Sequence, residues 1–202
     1  MTWSDGSSGK ARPELIVVGG SAGALEFVMR LSSELPPSLE LPVVVVLHLP
    51  RAHPSRLADL LTHSASRPVR EARDKDPLMP FDIFVGPPDY HLLIERGPSL
   101  ALSLDEPVNY SRPAIDVLFE SAADVLGSRV LGILLSGANR DGARGLAAIA
   151  KAGGEVVVLD PAEAPSRVMP ETALDEVPSA LRLGIEGIVD HVRALVEQRG
   201  TP

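Results

Sequence analysis

Four short runs of the chain carry almost no polar residue: Glu14-Leu-Ile-Val-Val18, Pro42-Val-Val-Val-Val-Leu47, Val130-Leu-Gly-Ile-Leu-Leu135 and Glu155-Val-Val-Val-Leu159. Strands that face solvent alternate apolar with polar positions, so unbroken runs rich in Val and Ile predict strands covered on both faces of a parallel sheet. Between them the spacing changes to that of helices. Leu25, Val28, Met29 and Leu31 predict a helix over Ala24–Leu35, closed by Pro36-Pro37. Leu57, Leu60 and Leu61 predict another over Pro54–Ser64, and Val117, Leu118, Ala122 and Val125 a third over Pro113–Leu126. A small-residue helix running to Ala152 and a closing helix over Gly187–Gln198 complete the pattern.

The middle of the chain reads differently. Val69–Ala72, Ile83–Val85, His91–Ile94 and Leu100–Leu104 are short, separated by Gly-Pro-Pro and Arg-Gly-Pro turns, and predict short strands. The last two form an antiparallel hairpin, and the group is expected to be an insertion on the sheet edge. The fold class that results is α/β: a single doubly wound, mostly parallel sheet, helices on both faces, with a β-hairpin insertion near the middle.

Composition narrows the function classes. A net charge of −8 with 19 scattered basic residues offers no basic face for nucleic acid and none for an anionic membrane. With 3% aromatic residues a base-stacking platform is not expected. The chain has no cysteine, which excludes disulfides, thiolate metal sites and a cysteine nucleophile. The leading residues 1–12 are Ser/Gly-rich, polar and expected to be flexible; they lack the apolar core of a secretory signal. No run is long enough to span a membrane, and a cytoplasmic location is expected.

Ligands of an open parallel sheet bind outside the carboxyl ends of its strands, so the residues following each apolar run carry the candidate chemistry. Ser21 follows the first run, His48 the second, Asp141 the third and Asp160 the fourth. The turn Gly19-Gly20-Ser21-Ala22-Gly23 matches G-x-S-x-G, the elbow that exposes a nucleophilic serine between strand and helix. The helix start behind it supplies N–H groups and a positive dipole end for a developing oxyanion. The competing reading is a phosphate-cradling turn. Against it, Val18 stands where a dinucleotide fingerprint has its first glycine, His48 where that fingerprint has its acid, and no Gly-Lys-Ser/Thr sequence is present.

Of the five histidines, only His48 closes a buried strand. His91 begins a short one, while His53, His63 and His191 lie in polar or helical stretches and are expected to be solvated. No second histidine sits at metal-ligand spacing, so neither a metal nor a cofactor is expected. Asp141 fits an orienting carboxylate, and equally an N-cap of the helix after it. Asp160, followed by Pro161, reads as a turn residue, and Asp116 and Glu171 are weaker candidates still.

With these segments placed, the chain resembles the catalytic domain of the CheB-type chemotaxis protein-glutamate methylesterases. The similarity rests on Val-Val-Gly-Gly-Ser-Ala-Gly, Val-Leu-His-Leu-Pro, Phe-Val-Gly-Pro-Pro-Asp-Tyr-His, Asn109-Tyr-Ser-Arg-Pro-Ala-Ile-Asp-Val-Leu-Phe119, Leu-Leu-Ser-Gly-Ala-Asn-Arg-Asp-Gly-Ala and Val168-Met169-Pro170, all in family order. It implies a methylesterase domain over residues 13–199, needing no cofactor. It implies Ser21 as nucleophile, His48 as general base and Asp141 as orienting carboxylate. Backbone N–H groups at Ala22 and Ala138 would hold the oxyanion. The implied substrate is a methylated chemoreceptor, whose glutamyl methyl esters would be cleaved and whose glutamines would be deamidated. Two positions depart from the family: Ala22 replaces the usual Thr and Ala138 the usual Met. Twelve leading residues are also too few for the family's receiver domain, so control by phosphorylation within this chain is not expected. These departures motivate an alternative, a catalytically weakened module that binds a receptor or signalling partner. Oligomeric state is left open.

Overall fold

The computed structural model describes residues 11–48, 56–97 and 99–197, with side chains through residue 195. The leading segment 1–10, His53, Pro54 and the Leu49-Pro50 part of one motif lie outside the described residues. In chain order the elements are β1 (Leu15–Gly20), α1 (Leu25–Glu34), β2 (Val43–Leu47), α2 (Leu57–Ser64), β3 (Val69–Glu71), β4 (Ile83–Val85), β5 (His91–Glu95), β6 (Ser99–Ser103), α3 (Ile115–Leu126), β7 (Val130–Leu134), α4 (Ala143–Lys151), β8 (Glu155–Leu159), α5 (Val168–Glu176), β9 (Leu181–Leu183) and α6 (Ile185–Glu197).

Seven strands form one parallel sheet in the order β3-β4-β2-β1-β7-β8-β9. Its central strands are buried along their length because both faces are covered. Successive side chains alternate between two cores, as strand geometry requires. Ile16, Val18, Val43 and Val45 pack with α1, α2 and α6 through Val28, Leu31, Leu61 and Ile188. Leu15, Val17, Val44 and Val46 pack with α3, α4 and the hairpin through Leu118, Phe119, Leu146 and Leu92. Each fully buried side chain of this size contributes about 1.5–3 kcal/mol relative to exposure.

The doubly wound sheet follows the expectation, with one correction in the middle of the chain. Among the described residues only β5 and β6 form a separate antiparallel pair of strands, His91 opposite Ser103. The two strands before them are not part of an insertion: β3 pairs with β4, and β4 with β2, all in parallel. Their three-residue length hid this, since a run so short shows no period. Two elements were also not anticipated, α5 and β9. Among the described residues no helix is long and apolar enough to cross a membrane.

The strand order reverses at β1, whose neighbours are β2 on one side and β7 on the other. The connection after β1 runs one way and that into β7 returns the other way. A crevice opens at such a point above the carboxyl ends of the strands.

Candidate active site

Ser21, His48 and Asp141 meet at this crevice. Parallel register sets Gly20 beside Leu47, so the residues that follow, Ser21 and His48, leave the sheet side by side. The His48 N–H donates to the Gly20 carbonyl at 3.1 Å, and the Ser21 N–H donates to the Ser136 carbonyl beyond β7 at 2.8 Å. Ser21 is thereby held between the ends of its two neighbouring strands. It is half-buried, while Ala22 and Gly23 are exposed.

His48 Nε2 lies 2.7 Å from Asp141 Oδ2. With Nε2–H donated to the carboxylate, Nδ1 is the nitrogen that carries the lone pair. Nδ1 is buried and has no hydrogen-bond partner, so the Ser21 hydroxyl does not engage the ring in this structure. Catalytic hydrogen bonds of this type often close only when substrate is present.

Asp141 itself is fully buried. Besides His48 it accepts from the Ile115 N–H at 2.7 Å, the Asp116 N–H at 3.1 Å and Asn109 Nδ2 at 3.1 Å. Burial alone would raise its pKa. The hydrogen bond to His48 and the two backbone N–H groups outweigh it and hold the carboxyl below its ordinary value. Expected as a cap of the helix that follows it, Asp141 instead takes the free N–H groups that open α3. The helix it precedes, α4, receives its acceptor from Asp116, whose Oδ1 binds the Gly142 N–H at 2.9 Å and the Gly145 N–H at 2.8 Å. Each aspartate therefore caps the other's helix.

Glycines make this exchange possible. A Cβ on Gly19 would lie 2.3 Å from Ile115 Cγ2, so the bare backbone at the end of β1 lets α3 begin directly above it. Gly142 has φ +92, and a side chain there would also strike Ile115.

Two further residues, to which the sequence pattern assigns no role, complete the network. Asn109 places one amide nitrogen between the two carboxylates, 3.1 Å from Asp141 Oδ1 and 3.0 Å from Asp116 Oδ2. Ser136, fully buried, donates to the Ala22 carbonyl at 2.7 Å and accepts from the Ser166 N–H at 3.0 Å, tying the serine turn to the segment before α5. Both lie in family-like segments, but the Asp141 partner of Asn109 and the Ala22 partner of Ser136 are distant in sequence. Asp116, ranked below Asp141 as a carboxylate, is buried in the same cluster. Burial raises its pKa, the Gly145 N–H opposes that, and the negative Asp141 adds to the rise.

The remaining candidates lie elsewhere. Asp160 caps its own turn through the Ala162 N–H at 2.8 Å and pairs with Arg182 at 2.7 Å. Glu171 is exposed on α5. His63 is exposed and held to the Asp59 carbonyl, whereas His191, expected in solvent, is partly covered and lies 3.2 Å from Glu155. His91 is buried, bonded to the Glu106 carbonyl and to the Ala114 N–H. Ala138, in the loop between Gly137 and Asp141, is exposed beside the serine turn's partner Ser136.

A buried carboxylate, an imidazole it orients and a serine at a strand–helix elbow make up the donor and acceptor set of a serine hydrolase. A model of the CheB methylesterase family matches residues 16–192. The chain belongs to the CheB methylesterase family. A Leptospira interrogans relative is 37% identical over 177 residues, covering 88% of this chain and 92% of its own length; its provisional name is protein-glutamate methylesterase/protein-glutamine glutaminase. A Caulobacter vibrioides protein named protein-glutamate methylesterase/protein-glutamine glutaminase 2 is 38% identical over 161 residues, 77% of this chain, which spans 46% of that relative's length. The crystal structure of the Thermotoga maritima CheB methylesterase catalytic domain superposes with a TM-score of 0.85 at 26% identity, over 93% of this chain and all of that one.

Proposed function

We propose that the chain hydrolyses glutamyl methyl esters on a protein, with Ser21 as nucleophile, His48 as general base and Asp141 as the carboxylate that orients it. The observation that carries the reading is the 2.7 Å bond from His48 Nε2 to a fully buried Asp141, formed next to Ser21 at the point where the sheet reverses its order.

In this mechanism the free Nδ1 of His48 takes the Ser21 proton as Oγ attacks the ester carbonyl. Negative charge develops on the carbonyl oxygen and is held by the backbone N–H groups of Ala22 and Ala138, each such donor being worth about 10²- to 10³-fold in rate. Backbone donors of this kind do not depend on the side chain, so Ala at both positions keeps them. The imidazolium returns its proton to the departing methoxide, releasing methanol. Water, deprotonated by His48, then attacks the acyl-enzyme, and the imidazolium passes that proton to the departing Ser21 Oγ as glutamate is freed. A glutamine side chain follows the same course with ammonia as the leaving group. The substrate we assign is a methylated chemoreceptor, and we place the reaction in the cytoplasm.

A second reading has two observations in its favour. The serine–imidazole bond is not made, and Ala22 and Ala138 leave the elbow thinly walled, as in a module that docks a receptor or signalling partner without turning it over. Methanol released from a methylated receptor fragment distinguishes the two. Ser21→Ala is expected to lower that release by about 10⁴-fold or more, with folding intact. An unchanged rate in the variant ends the assignment of Ser21, and no release by the wild-type chain favours the module.

A further inference from the structure

The loop that brings Asn109 to Asp141 also carries an aromatic ring away from the protein. Val108 and Ser111 exchange both backbone hydrogen bonds, at 3.1 and 2.9 Å, closing a two-residue turn. Its central residues, Asn109 and Tyr110, have φ of 50° and 61°. This is the geometry of a type I′ turn, which favours Asn at the first position and Gly at the second. Asn109 satisfies the preference and points inward to two buried carboxylates. Tyr110 violates it: a bulky residue in the left-handed region is disfavoured, and its side chain is 98% exposed, so packing returns nothing for the strain.

The turn is also held firmly. Arg112 Nη1 donates to the carbonyls of Leu104 and Asp105 at 2.9 and 3.1 Å. His91 bridges the loop's two ends, meeting the Glu106 carbonyl at 3.1 Å and the Ala114 N–H at 3.2 Å. Leu104, at the foot of the loop, is itself 64% exposed. A strained, exposed aromatic residue fixed beside the group that orients His48 is a feature the fold does not need. Outliers of this kind gather at ligand clamps and catalytic sites.

We propose that Tyr110 is a specificity-determining residue: its ring contacts the protein chain that bears the ester, away from the ester group itself. The inference rests on the esterase reading. Aromatic anchors with few rotatable bonds give much contact area at low entropic cost, which suits recognition of a protein surface rather than of one side chain. A lone glutamyl methyl ester, which fills only the space around Ser21, gains little from such a ring.

The test compares two probes, a chemoreceptor signalling fragment carrying glutamyl methyl esters and the small ester N-acetyl-glutamate γ-methyl ester, with wild type, Tyr110→Gly and Tyr110→Phe. In Tyr110→Gly the ratio of kcat/KM for the protein ester over the small ester is expected to fall at least about fivefold, chiefly through KM, the scale of a single anchor residue. Tyr110→Phe is expected to restore most of the ratio, and Tyr110→Gly to melt no lower than wild type because Gly suits the positive φ. Equal losses on both probes, no loss on either, or a lower melting temperature in Tyr110→Gly each overturn the proposal. A wild-type chain that cleaves neither probe overturns the esterase reading itself, a result distinct from any pattern among the Tyr110 variants.

Discussion

On the carboxylate side of the crevice, Asp141 is fully buried and accepts from His48, Ile115, Asp116 and Asn109. On the serine side, Ser21 is half-buried, Ala22 and Gly23 are exposed, and the free imidazole nitrogen has no partner. The first half is over-determined: the N-terminus of α3, an amide and an imidazole all fix one carboxylate. The second half is left for a substrate to complete. Orientation of the imidazole is thus a property of the fold, paid for in buried polar groups that must all be satisfied, while the bond-making geometry depends on what enters.

The comparison breaks most sharply at Asp141. In Asp141→Asn an amide nitrogen at the Oδ2 position presents N–H where His48 and the Ile115 N–H need an acceptor, and kcat is expected to fall about 10⁴-fold, the scale seen when a triad carboxylate is neutralised in place. The same variant has a pH signature. Because the folded pKa of Asp141 is lowered, its contribution to stability is complete above the unfolded value of about 4 and is lost as pH falls through the folded value. Asp116, raised chiefly by burial, has the opposite sign: its contribution is complete in acid and lost as pH rises through its folded value. Urea unfolding of wild type and Asp141→Asn is therefore expected to show a gap at pH 7 that narrows at pH 3. A gap that widens in acid would contradict the assigned direction.

A smaller effect tests whether the amide between the two carboxylates belongs to the rigid half. Asn109→Gly keeps the positive φ and removes only the donor. Stability is expected to drop by about 1–3 kcal/mol, the cost of leaving the buried Asp116 Oδ2 without its donor. The activity loss, about 10- to 100-fold by the same energy scale, should fall on kcat rather than KM, because Asn109 acts through the carboxylate bonded to His48. A loss confined to KM would move Asn109 to the substrate side.

The contrast also explains what could be read from the sequence. Largely apolar β1, β2, β7 and β8 announce a parallel sheet, and a parallel sheet announces its ligand-binding edge, so Ser21, His48 and Asp141 were legible as candidates just beyond. The partners of Asp141 were not. Its position before α4 suggested a local cap, yet its acceptors serve α3, whose first residue lies 26 positions earlier. Reciprocal capping by Asp141 and Asp116 depends on two helix starts being pressed together, which no local pattern encodes. Asn109 and Ser136 were hidden for the same reason. Helix α5 was missed on other grounds: Pro170 falls in its first turn, and the buried residues Met169, Pro170 and Ala173 give only a weak apolar face. Strands β3 and β4 offered three residues each, and only pairing reveals their place in the sheet.

The weakest effect is expected at Asp160, and its weakness is informative. Like Asp141 it follows a largely apolar strand at the carboxyl edge of the sheet, so position alone cannot rank the two. Their surroundings differ in every other respect. The Asp160 carboxylate lies near solvent and binds Arg182 and its own turn, with the Arg182 hydrogen bond the main cause of a lowered pKa. Exposed ion pairs are screened and contribute little. Asp160→Asn is accordingly expected to release methanol at the wild-type rate and to unfold at a closely similar urea concentration, and this should hold at high and low salt alike. Were Asp160→Asn instead to reduce kcat as Asp141→Asn does, burial and hydrogen-bond saturation would no longer separate an orienting carboxylate from a turn residue, and the assignment of Asp141 would lose its physical basis.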